Sequence, residues 1–425
     1  MSSGAKIAIV IAVVVAAGAL LFSTLAAAGL LFYWRSARHE QVAQIRDEAA
    51  RMEAAVAQAR ERVPAPPAPI EDSAPAVAPA PADSAAKPVA ERRREAMARG
   101  IECLAKLQAP DGSWAEGNFG VTALCADALL ECGRTAADPT VRRAIDFLLK
   151  AQKEDGGIYG DAELKNYTTS IAVMVLVKAD PKAYAAVIEK ATAYLIENQW
   201  DEQESVDKDN PWYGGAGYGK SGRPDLSNTQ YFVQAMQEAG IPKDHPLWAK
   251  VVVFVSRNQD RSESNDGAFV GTESGGMIYS PHKGGESKAG AIDLPDGRKG
   301  LKAYGSMTYA GFKSFIYANL QRDDPRVRAA MDWIRKHWTF EENPEVGQQG
   351  LFYYYETAAK ALKAWGEDTI VDGRDRRHDW RDELSEAILK RQRPDGSWVN
   401  EADRWFEGFP PVPTSYALIA LANCQ

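Results

Sequence analysis

The chain has 425 residues, of which 45% are hydrophobic and 25% are charged. This length and composition are those of a globular protein with enough apolar material for a large core. The net charge of −8, without a dominant Lys/Arg block, argues against nucleic acid as a partner.

An apolar segment opens the chain. From Ile7 to Trp34 no residue is charged, and this run exceeds the roughly 20 residues that a bilayer-spanning helix needs. We predict a single-pass anchor in the cell membrane over residues 1–35. The alternative is a cleaved signal peptide, because Lys6 precedes the run and small residues lie at 26–28. Arginines after the run favour a cytoplasmic carboxyl end, but exported anchors have similar flanks, so the side of the soluble part stays open.

A polar region follows the anchor. Residues 36–63 are predicted to form a juxtamembrane helix, with apolar residues spaced by three and four from Val42 to Val63. This seam is typical of a short coiled coil and predicts a homodimer through residues 42–63, although a lone solvated helix has the same pattern. Residues 64–90 are rich in Pro and Ala and are predicted to be a linker.

Six turns containing Gln, or His at one of them, recur along the rest of the chain. The first is Gln108-Ala-Pro-Asp-Gly-Ser-Trp114 and the last is Gln392-Arg-Pro-Asp-Gly-Ser-Trp398. Each turn follows one helical stretch and precedes another, with a period of roughly 45 to 60 residues. Such a period predicts an all-α repeat fold whose helical pairs bury their apolar faces against neighbouring pairs.

The first helix of each pair is predicted to lie outside and the second inside. Several of the second helices are expected to begin at Ser, Thr or Asn, whose side chains can cap backbone N–H groups. The predicted inner helices are Val121 to Cys132, Thr168 to Lys178, Asn228 to Ala239, Thr308 to Leu320, Thr357 to Trp365 and Thr414 to Cys424.

These turns resemble the QW repeats of squalene-hopene and oxidosqualene cyclases, and the helix order is similar to the β subunits of protein prenyltransferases. The chain also looks like bacterial prenyltransferase/squalene-oxidase repeat proteins of unassigned activity. The resemblance covers residues 91–425 and implies an (α/α)6 toroid, in which six inner helices surround a centre and six outer helices surround them.

The repeated Gln and Trp residues have a structural explanation. A Gln side chain can join backbone groups of two helices, and a Trp can stack on the next unit. We therefore assign a structural role to Gln108, Trp114, Gln152, Gln199, Gln259, Gln392 and Trp398, while His337 replaces Gln in the fifth unit.

The resemblance also implies where cyclase chemistry would lie. Class II terpene cyclases protonate their substrate with a D-x-D-D run at the mouth of an inner helix. In this chain the matching residues are Asp225-Leu226-Ser227-Asn228, so only the first acid is present. Since one carboxyl stays protonated beside a second, loss of the pair makes the usual cyclisation doubtful. Asp225 is alternatively a helix cap.

No metal or cofactor is predicted. Protein prenyltransferases hold zinc with Asp, Cys and His at the inner-helix mouths, and the corresponding stretches here contain neither Cys nor His. The cysteines lack metal-ligand spacing. Cys132 and Cys424 end the first and last inner helices, but packed helices rarely bring two cysteines close enough for a disulfide.

Phenols and small polar groups are expected to gather at the mouth of the toroid. Together with Trp405 on the second of two long loops, 265–304 and 398–413, they form the predicted ligand site: Asn228, Tyr304, Ser306, Tyr309, Tyr353, Tyr354, Tyr355 and Trp405. Tyrosines suit an isoprenoid or lipid as well as a carbohydrate.

Three functions remain open at this point. The first is a membrane-tethered toroid that binds an apolar molecule or a protein partner without catalysis. The second is a terpene or squalene-type cyclase in which Asp225 acts through non-standard acid chemistry. The third is a carbohydrate-active enzyme that uses Asp225 and Glu356 as paired acids.

Overall fold

A computed structural model describes residues 87–115, 118–160, 164–219 and 222–425. The predicted anchor, the juxtamembrane helix and nearly all of the linker lie outside these residues. Twelve α-helices are present in the described part: α1 Val89–Leu107, α2 Phe119–Glu131, α3 Pro139–Leu149, α4 Lys165–Ala179, α5 Ala185–Glu197, α6 Leu226–Glu238, α7 Leu247–Arg257, α8 Gly305–Tyr317, α9 Pro325–Lys336, α10 Leu351–Trp365, α11 Trp380–Leu389 and α12 Pro411–Asn423. None of these helices is long and apolar enough to cross a membrane.

The even-numbered helices form a closed inner ring. Each packs against the next, from α2 through α4, α6, α8 and α10 to α12, and α12 packs against α2. At this closure Ser415 Oγ of α12 lies 3.3 Å from Cys125 Sγ of α2. The odd-numbered helices pack outside the ring, and α1 contacts both α11 and α12. The predicted α/α arrangement of six helical pairs is therefore present.

The Gln side chains of the turns join consecutive units. Gln108 Nε2 donates to Gly112 O in its own turn, at 3.0 Å, and to Thr140 O of α3, at 2.9 Å. In the last turn Gln392 Nε2 donates to Gly396 O, at 3.0 Å, and to Ala96 O of α1, at 2.8 Å. The last unit is thus tied to the first by the same contact that joins neighbours. Gln199 and Gln259 make equivalent pairs of bonds, and the backbone of Gln152 pairs with Ile158.

The Trp residues of the first and last turns bond to the helix that precedes them. Trp114 Nε1 donates to Leu104 O at 2.7 Å, and Trp398 Nε1 donates to Ile388 O at 2.9 Å. Both indoles are buried. In the fifth unit the ring of His337 instead stacks on Trp333, with 4.0 Å between centroids. Each of the two indole bonds satisfies a carbonyl in the last turn of a helix, where carbonyls lack a partner within their own helix.

All six inner helices begin earlier than predicted, since α2 begins at Phe119 instead of Val121 and α4 at Lys165 instead of Thr168. The expected starts at Asn228, Thr308, Thr357 and Thr414 lie within the first two turns of α6, α8, α10 and α12. The hydroxyls do not cap. Thr308 Oγ1 donates to Tyr304 O at 2.9 Å and accepts from Met277 N at 3.0 Å. Thr414 Oγ1 likewise accepts from Trp398 N at 3.0 Å, so these threonines hold the preceding turn from inside the helix.

Two short antiparallel hairpins were not predicted. β1, Ala291–Asp293, pairs with β2, Lys299–Leu301, inside the first long loop. β3, Thr369–Val371, pairs with β4, Arg377–Asp379, between α10 and α11. All four cysteines are free thiols, including Cys132 and Cys424.

Candidate functional site

A chain of hydroxyl groups crosses the ring at the amino-terminal ends of the inner helices. The Tyr167 hydroxyl of α4 donates to Ser227 Oγ of α6 at 2.6 Å, and Ser227 Oγ lies 2.8 Å from the Tyr353 hydroxyl of α10. One turn deeper in α6, Gln230 Nε2 donates to the Tyr353 hydroxyl at 3.2 Å. Because α6 and α10 are separated in the ring by α8, these bonds reach through the interior of the ring past α8.

Partly exposed phenols surround this chain, which we call the tyrosine layer. They are Tyr167, Tyr218, Tyr279, Tyr353 and Tyr416. The rings lie close together: 6.1 Å separates the centroids of Tyr167 and Tyr218, and 5.8 Å those of Tyr353 and Tyr416. Water therefore reaches aromatic side chains at this end of the ring, as it does in an open binding site.

A charged group lies at the edge of the tyrosine layer. Arg223 and Lys288 both pair with Glu286, the latter at 2.6 Å. Lys288 Nζ also lies 4.4 Å from the centroid of Tyr279, in a cation–π contact. The hydroxyls of Tyr279 and Tyr218 are 2.8 Å apart. These contacts attach the first long loop to the site.

Asp225 lies beside this layer but is closed to solvent. Its side chain caps α6: Oδ1 accepts from Asn228 N at 2.8 Å, and Oδ2 accepts from Asn228 Nδ2 at 2.9 Å. Burial raises the pKa of Asp225, while the two bonds from Asn228 act in the opposite direction. The residue is 0% exposed. Asn228 also accepts at Oδ1 from Asn166 Nδ2 of α4, at 3.1 Å.

The second long loop reaches the same end of the ring. Glu407 Oε1 accepts from Tyr353 N at 2.8 Å, and its other oxygen accepts from Asn400 Nδ2 at 2.7 Å. Glu407 therefore supplies the cap that Gly350, the residue before α10, has no side chain to provide. Trp405 in this loop is 40% exposed and stacks with Arg404, whose guanidinium carbon is 4.6 Å from its ring centroid.

Replacing Glu407 with Gln is expected to change how stability depends on pH. Burial raises the pKa of Glu407 from 4.5 to about 7 in the folded protein. Between these two pH values the folded state therefore keeps a proton that the unfolded chain loses. The contribution of this proton to the free energy of unfolding is fully present below pH 4.5 and is lost as the pH rises through 7. Relative to Glu407→Gln, the wild-type free energy of unfolding should fall by about 3 kcal/mol across this window. Urea unfolding at several pH values measures the difference, and a constant difference contradicts the prediction.

Several residues predicted to line the site pack elsewhere. The hydroxyl of Tyr354 donates to Thr339 O at 2.6 Å, and that of Tyr355 donates to Phe340 O at 2.8 Å. Tyr309 packs edge-on against Tyr354, with 5.6 Å between centroids. All three are buried between α8, α10 and the connection that precedes α10.

Ser306 and Tyr304 hold the start of α8. The backbone N–H of Ser306 donates to Asn343 Oδ1 at 2.9 Å, and Ser306 Oγ accepts from Asn343 Nδ2 at 3.2 Å. Tyr304 is 2% exposed. Of the predicted ligand residues, the structure thus brings Tyr353 and Asn228 to the hydroxyl chain and Trp405 to the adjoining loop.

A network of buried and partly buried charges lies inside the ring towards the carboxyl ends of the inner helices, and we call it the charged layer. It comprises Asp127, Glu131, Glu238, Glu356, Lys178, Lys313 and Lys360. Lys178 lies 2.8 Å from Asp127 and 3.3 Å from Glu131, and it also pairs with Glu238. Lys360 of α10 reaches across α12 to Glu131 of α2 at 3.5 Å.

The electrostatics of the charged layer follow from its burial and its pairing. Burial acts to raise the pKa of Glu131, but Lys360 and Lys178 outweigh it and lower the value to about 2. Burial lowers the pKa of Lys313 to about 8. Its ammonium group donates to Gln234 Oε1 at 2.7 Å. Asp127, Lys313, Glu356 and Lys360 are buried, whereas Glu131, Lys178 and Glu238 keep some contact with solvent.

Glu356 and Asp225 take part in different contacts. Glu356 Oε1 lies 3.5 Å from Lys360 in the charged layer, whereas Asp225 caps α6 at the mouth and lies 3.8 Å from Arg223. Across the described ranges, no group of three or more His, Cys, Asp or Glu side chains is arranged to hold a metal ion.

A cleft of about 630 Å³ opens outside the ring. It is lined by Lys208, Asp209, Pro211, Arg257, Asp266, Ala268, Pro281, Lys283 and Gly284. Arg257 in its wall is occupied by structural contacts to Asn210 O, at 2.7 Å, and Asp266, at 3.2 Å. We therefore place the candidate site at the tyrosine layer.

Comparison with known proteins supports a cyclase-like toroid. The family model for the squalene-hopene cyclase C-terminal domain matches residues 118–279. A squalene–hopene cyclase from Bradyrhizobium diazoefficiens is 30% identical over 178 residues, which is 36% of this chain and 23% of that protein. The chain thus spans about a quarter of the length of this relative.

Solved structures show the same fold. The type II terpene cyclase MstE from Scytonema, without ligand, aligns with a TM-score of 0.51 and 14% identity, over 79% of this chain and 98% of that one. A variant of MstE with its substrate, geranylgeranyl dihydroxybenzoate, aligns with a TM-score of 0.51 and 13% identity over the same shares. The described part of the chain is a squalene-cyclase-like α/α toroid.

Proposed function

We propose that this chain is a binding module with a cyclase-like toroid, whose ligand enters at the tyrosine layer, and that it does not cyclise polyenes. The predicted anchor over residues 1–35 would hold the module at a membrane, with the Pro/Ala-rich segment as a spacer. Partly exposed phenols and the exposed Trp405 surround the entrance. Aromatic rings with polar tips are common in recognition sites because they bury a large area with little loss of side-chain freedom.

The proposal rests on the residues that correspond to the D-x-D-D run of the cyclases. A polyene cyclase must deliver a proton from a strong acid to a carbon atom of its substrate. Here Ser227 and Asn228 stand where the second and third carboxyls of the D-x-D-D run would be. The remaining acid, Asp225, is 0% exposed and both of its oxygens accept hydrogen bonds from Asn228. In this arrangement no substrate atom reaches its carboxyl group.

The polarity of the interior supports the same conclusion. Cyclisation proceeds through carbocations, which survive in an apolar cavity and are captured by amines and carboxylates. Below the tyrosine layer the ring contains Lys313, Lys360 and Glu356, all at most 4% exposed. Lys360 reaches past α12 to Glu131 of α2, so charged side chains occupy part of the interior in which a folded polyene would lie.

Restoring the acid run is expected not to create a cyclase. The double variant Ser227→Asp/Asn228→Asp makes residues 225–228 Asp-Leu-Asp-Asp. Because the charged layer remains beneath it, neither this variant nor the wild-type full-length protein should convert squalene. Gas chromatography with mass spectrometry of hexane extracts checks the result, with a squalene-hopene cyclase as a positive control.

Two further variants keep this test decisive. If the double variant fails to fold, Ser227→Asp alone adds one carboxyl and keeps the hydrogen bonds from Asn228 to Asp225. Thermal melting identifies the folded proteins. A cyclic product from wild-type protein that disappears in Asp225→Asn would overturn the proposal in favour of a cyclase with non-standard acid chemistry, which the retained, buried Asp225 makes the second candidate.

A further inference from the structure

Residues 401–406 form the tip of the second long loop, and the two ends of this tip meet at a neck. Asn400 N donates to Glu407 O at 2.9 Å, and Asn400 Nδ2 donates to Glu407 Oε2 at 2.7 Å. Both neck residues are buried, with 7% and 1% exposure. The residues of the tip are exposed or partly exposed. A surface loop whose ends are joined in this way can move at its tip while its base stays fixed.

Arg404 and Trp405 attach the tip to the connection before α10. Arg404 Nη1 donates to Gln349 Oε1 at 2.6 Å in an exposed position. The ring of Trp405 covers Gly350, since a Cβ on Gly350 would lie 2.8 Å from Trp405 Cε3. Trp405 still remains 40% exposed. Because water can replace a hydrogen bond at the surface, such a bond contributes little net free energy. The tip is therefore held less firmly than the buried neck.

The backbone of the tip is strained where it returns to the neck. Trp405 has a φ of 60° and Phe406 has a φ of 65°. Residues with a Cβ rarely adopt this left-handed conformation, and it persists only where the surroundings hold it. A change of these two φ angles would swing the tip while Glu407 stays in place, as at the hinges of mobile loops. Release of the strain favours this movement, and loss of the contacts with Gln349 and Gly350 opposes it.

The start of α8 is joined to the residue that binds the tip. Asn343 Oδ1 accepts from Ser306 N in the first turn of α8, at 2.9 Å. The other side-chain atom, Asn343 Nδ2, donates to Gln349 O at 3.0 Å. One side chain thus connects the helix that follows Tyr304 to the residue whose amide accepts from Arg404.

Tyr304 is close both to the tip and to the charged edge of the tyrosine layer. Burial raises the pKa of Tyr304 well above its usual value, and the carboxylates of Asp225 and Glu286 raise it further. Arg404 acts on this pKa in the opposite direction. Charges shift the pKa of a neighbouring group mainly at short range. Tyr304 is 2% exposed, so it is a phenol beside the layer that water does not reach.

We propose that the tip is a cover that opens by rotation about Trp405 and Phe406, and that its opening extends the tyrosine layer to Tyr304. This inference rests on the proposed function, because it adds a movable part to the same site. In the structure the phenols of the tyrosine layer are partly exposed, whereas Tyr304 is buried. The movement of the tip makes Tyr304 accessible and needs no preformed cavity beneath it.

Hydroxyl-radical footprinting of the full-length protein measures this opening without any ligand. Gln349→Ala removes the partner of Arg404 and leaves every residue of the tip in place. We expect the oxidation rate of Tyr304, read by mass spectrometry, to rise at least about threefold, because the lost bond involves a charged donor. Tyr194 on α5 is also buried, and its oxidation rate should not change. A rise at both tyrosines would report unfolding of the ring and would overturn the inference.

Gln348→Ala is the matched control. The side chain of Gln348 donates to Glu341 O at 3.0 Å instead of accepting from the tip, so its removal should leave the oxidation of Tyr304 at the wild-type rate. If Gln349→Ala and Gln348→Ala give the same rate for Tyr304, the bond to Arg404 does not hold a cover and the inference fails.

A second variant covers the case in which Gln349→Ala does not fold. Arg404→Met removes the same bond from the side of the tip and should also raise the oxidation of Tyr304 at least about threefold; an unchanged rate overturns the inference. These outcomes are distinct from a failure of the proposed function. Conversion of squalene would refute the binding module whether or not the tip moves, whereas an immobile tip would leave the tyrosine layer as an open site and refute only the cover.

Discussion

Replacing Lys360 with Met is expected to lower the free energy of unfolding by about 3–5 kcal/mol, the usual cost of removing one partner from a buried ion network. The ammonium group of Lys360 lies 3.5 Å from Glu131, 3.5 Å from Glu356 and 3.9 Å from Asp127. Its loss would leave these carboxylates with less compensation inside the ring. Urea unfolding of the full-length protein at pH 7, followed by tryptophan fluorescence, measures the change.

Lys363→Met is the matched control for this variant. Lys363 lies on the same helix but is exposed, and surface substitutions usually change stability by less than about 0.5 kcal/mol. The double variant Lys360→Met/Glu131→Gln should recover part of the loss, because one unpaired carboxylate is removed with its partner. A Lys360→Met protein as stable as Lys363→Met would contradict a role for the charged layer in holding the ring together.

The repeats made the ring predictable. The similarity of the turns at Gln108 and Gln392 implies that the last unit makes the same contacts as the first, and Gln392 does bond to Ala96 of α1. In a closed arrangement each unit needs a neighbour on both sides, so equivalent turns at both ends of the chain favour closure over an open stack. The local sequence pattern was sufficient to predict the ring because each of these contacts joins adjacent units.

The starts of the inner helices were harder to predict. Thr308 and Thr414 have the residue type of a cap, and a cap and an internal threonine look alike in one sequence. Their partners are backbone groups of the preceding turn, Met277 N and Trp398 N. This use of threonine depends on how the turn folds back over the helix, which the local sequence does not specify.

The spacing of polar residues along the inner helices indicates a polar interior. On α6, polar residues recur at intervals of three and four, at Ser227, Gln230, Gln234 and Glu238. On α10, Tyr353, Glu356 and Lys360 have the same spacing. Such intervals put side chains on one face of a helix, and for an inner helix that face can be the centre of the ring. Ion pairs between distant helices, such as Lys360 with Glu131, depend on the closure of the ring and could not be predicted from the local sequence.

Gly214→Ala is expected to destabilise the fold by about 2–5 kcal/mol. Gly214 has a φ of 85°, which costs a residue with a Cβ about 1–2 kcal/mol. A Cβ at this position would also lie 1.8 Å from Lys250 O of α7, and relieving such a contact in a packed region costs about 1–3 kcal/mol more. The carbonyls of Gly214 and Leu247 both accept from Gln199 Nε2, so a displaced α7 would also strain this bridge.

Gly133→Ala is the control that measures the cost of the backbone conformation without a steric contact. Gly133 has a φ of 83°, and a Cβ there would meet nothing within 4 Å. It should therefore show only the conformational cost, about 1–2 kcal/mol. Thermal melting and urea unfolding of both variants measure the difference, which reports the close approach between the turn and α7. Equal losses in the two variants would mean that α7 moves away at no cost, and the turn would then not be a rigid joint between neighbouring units of the ring.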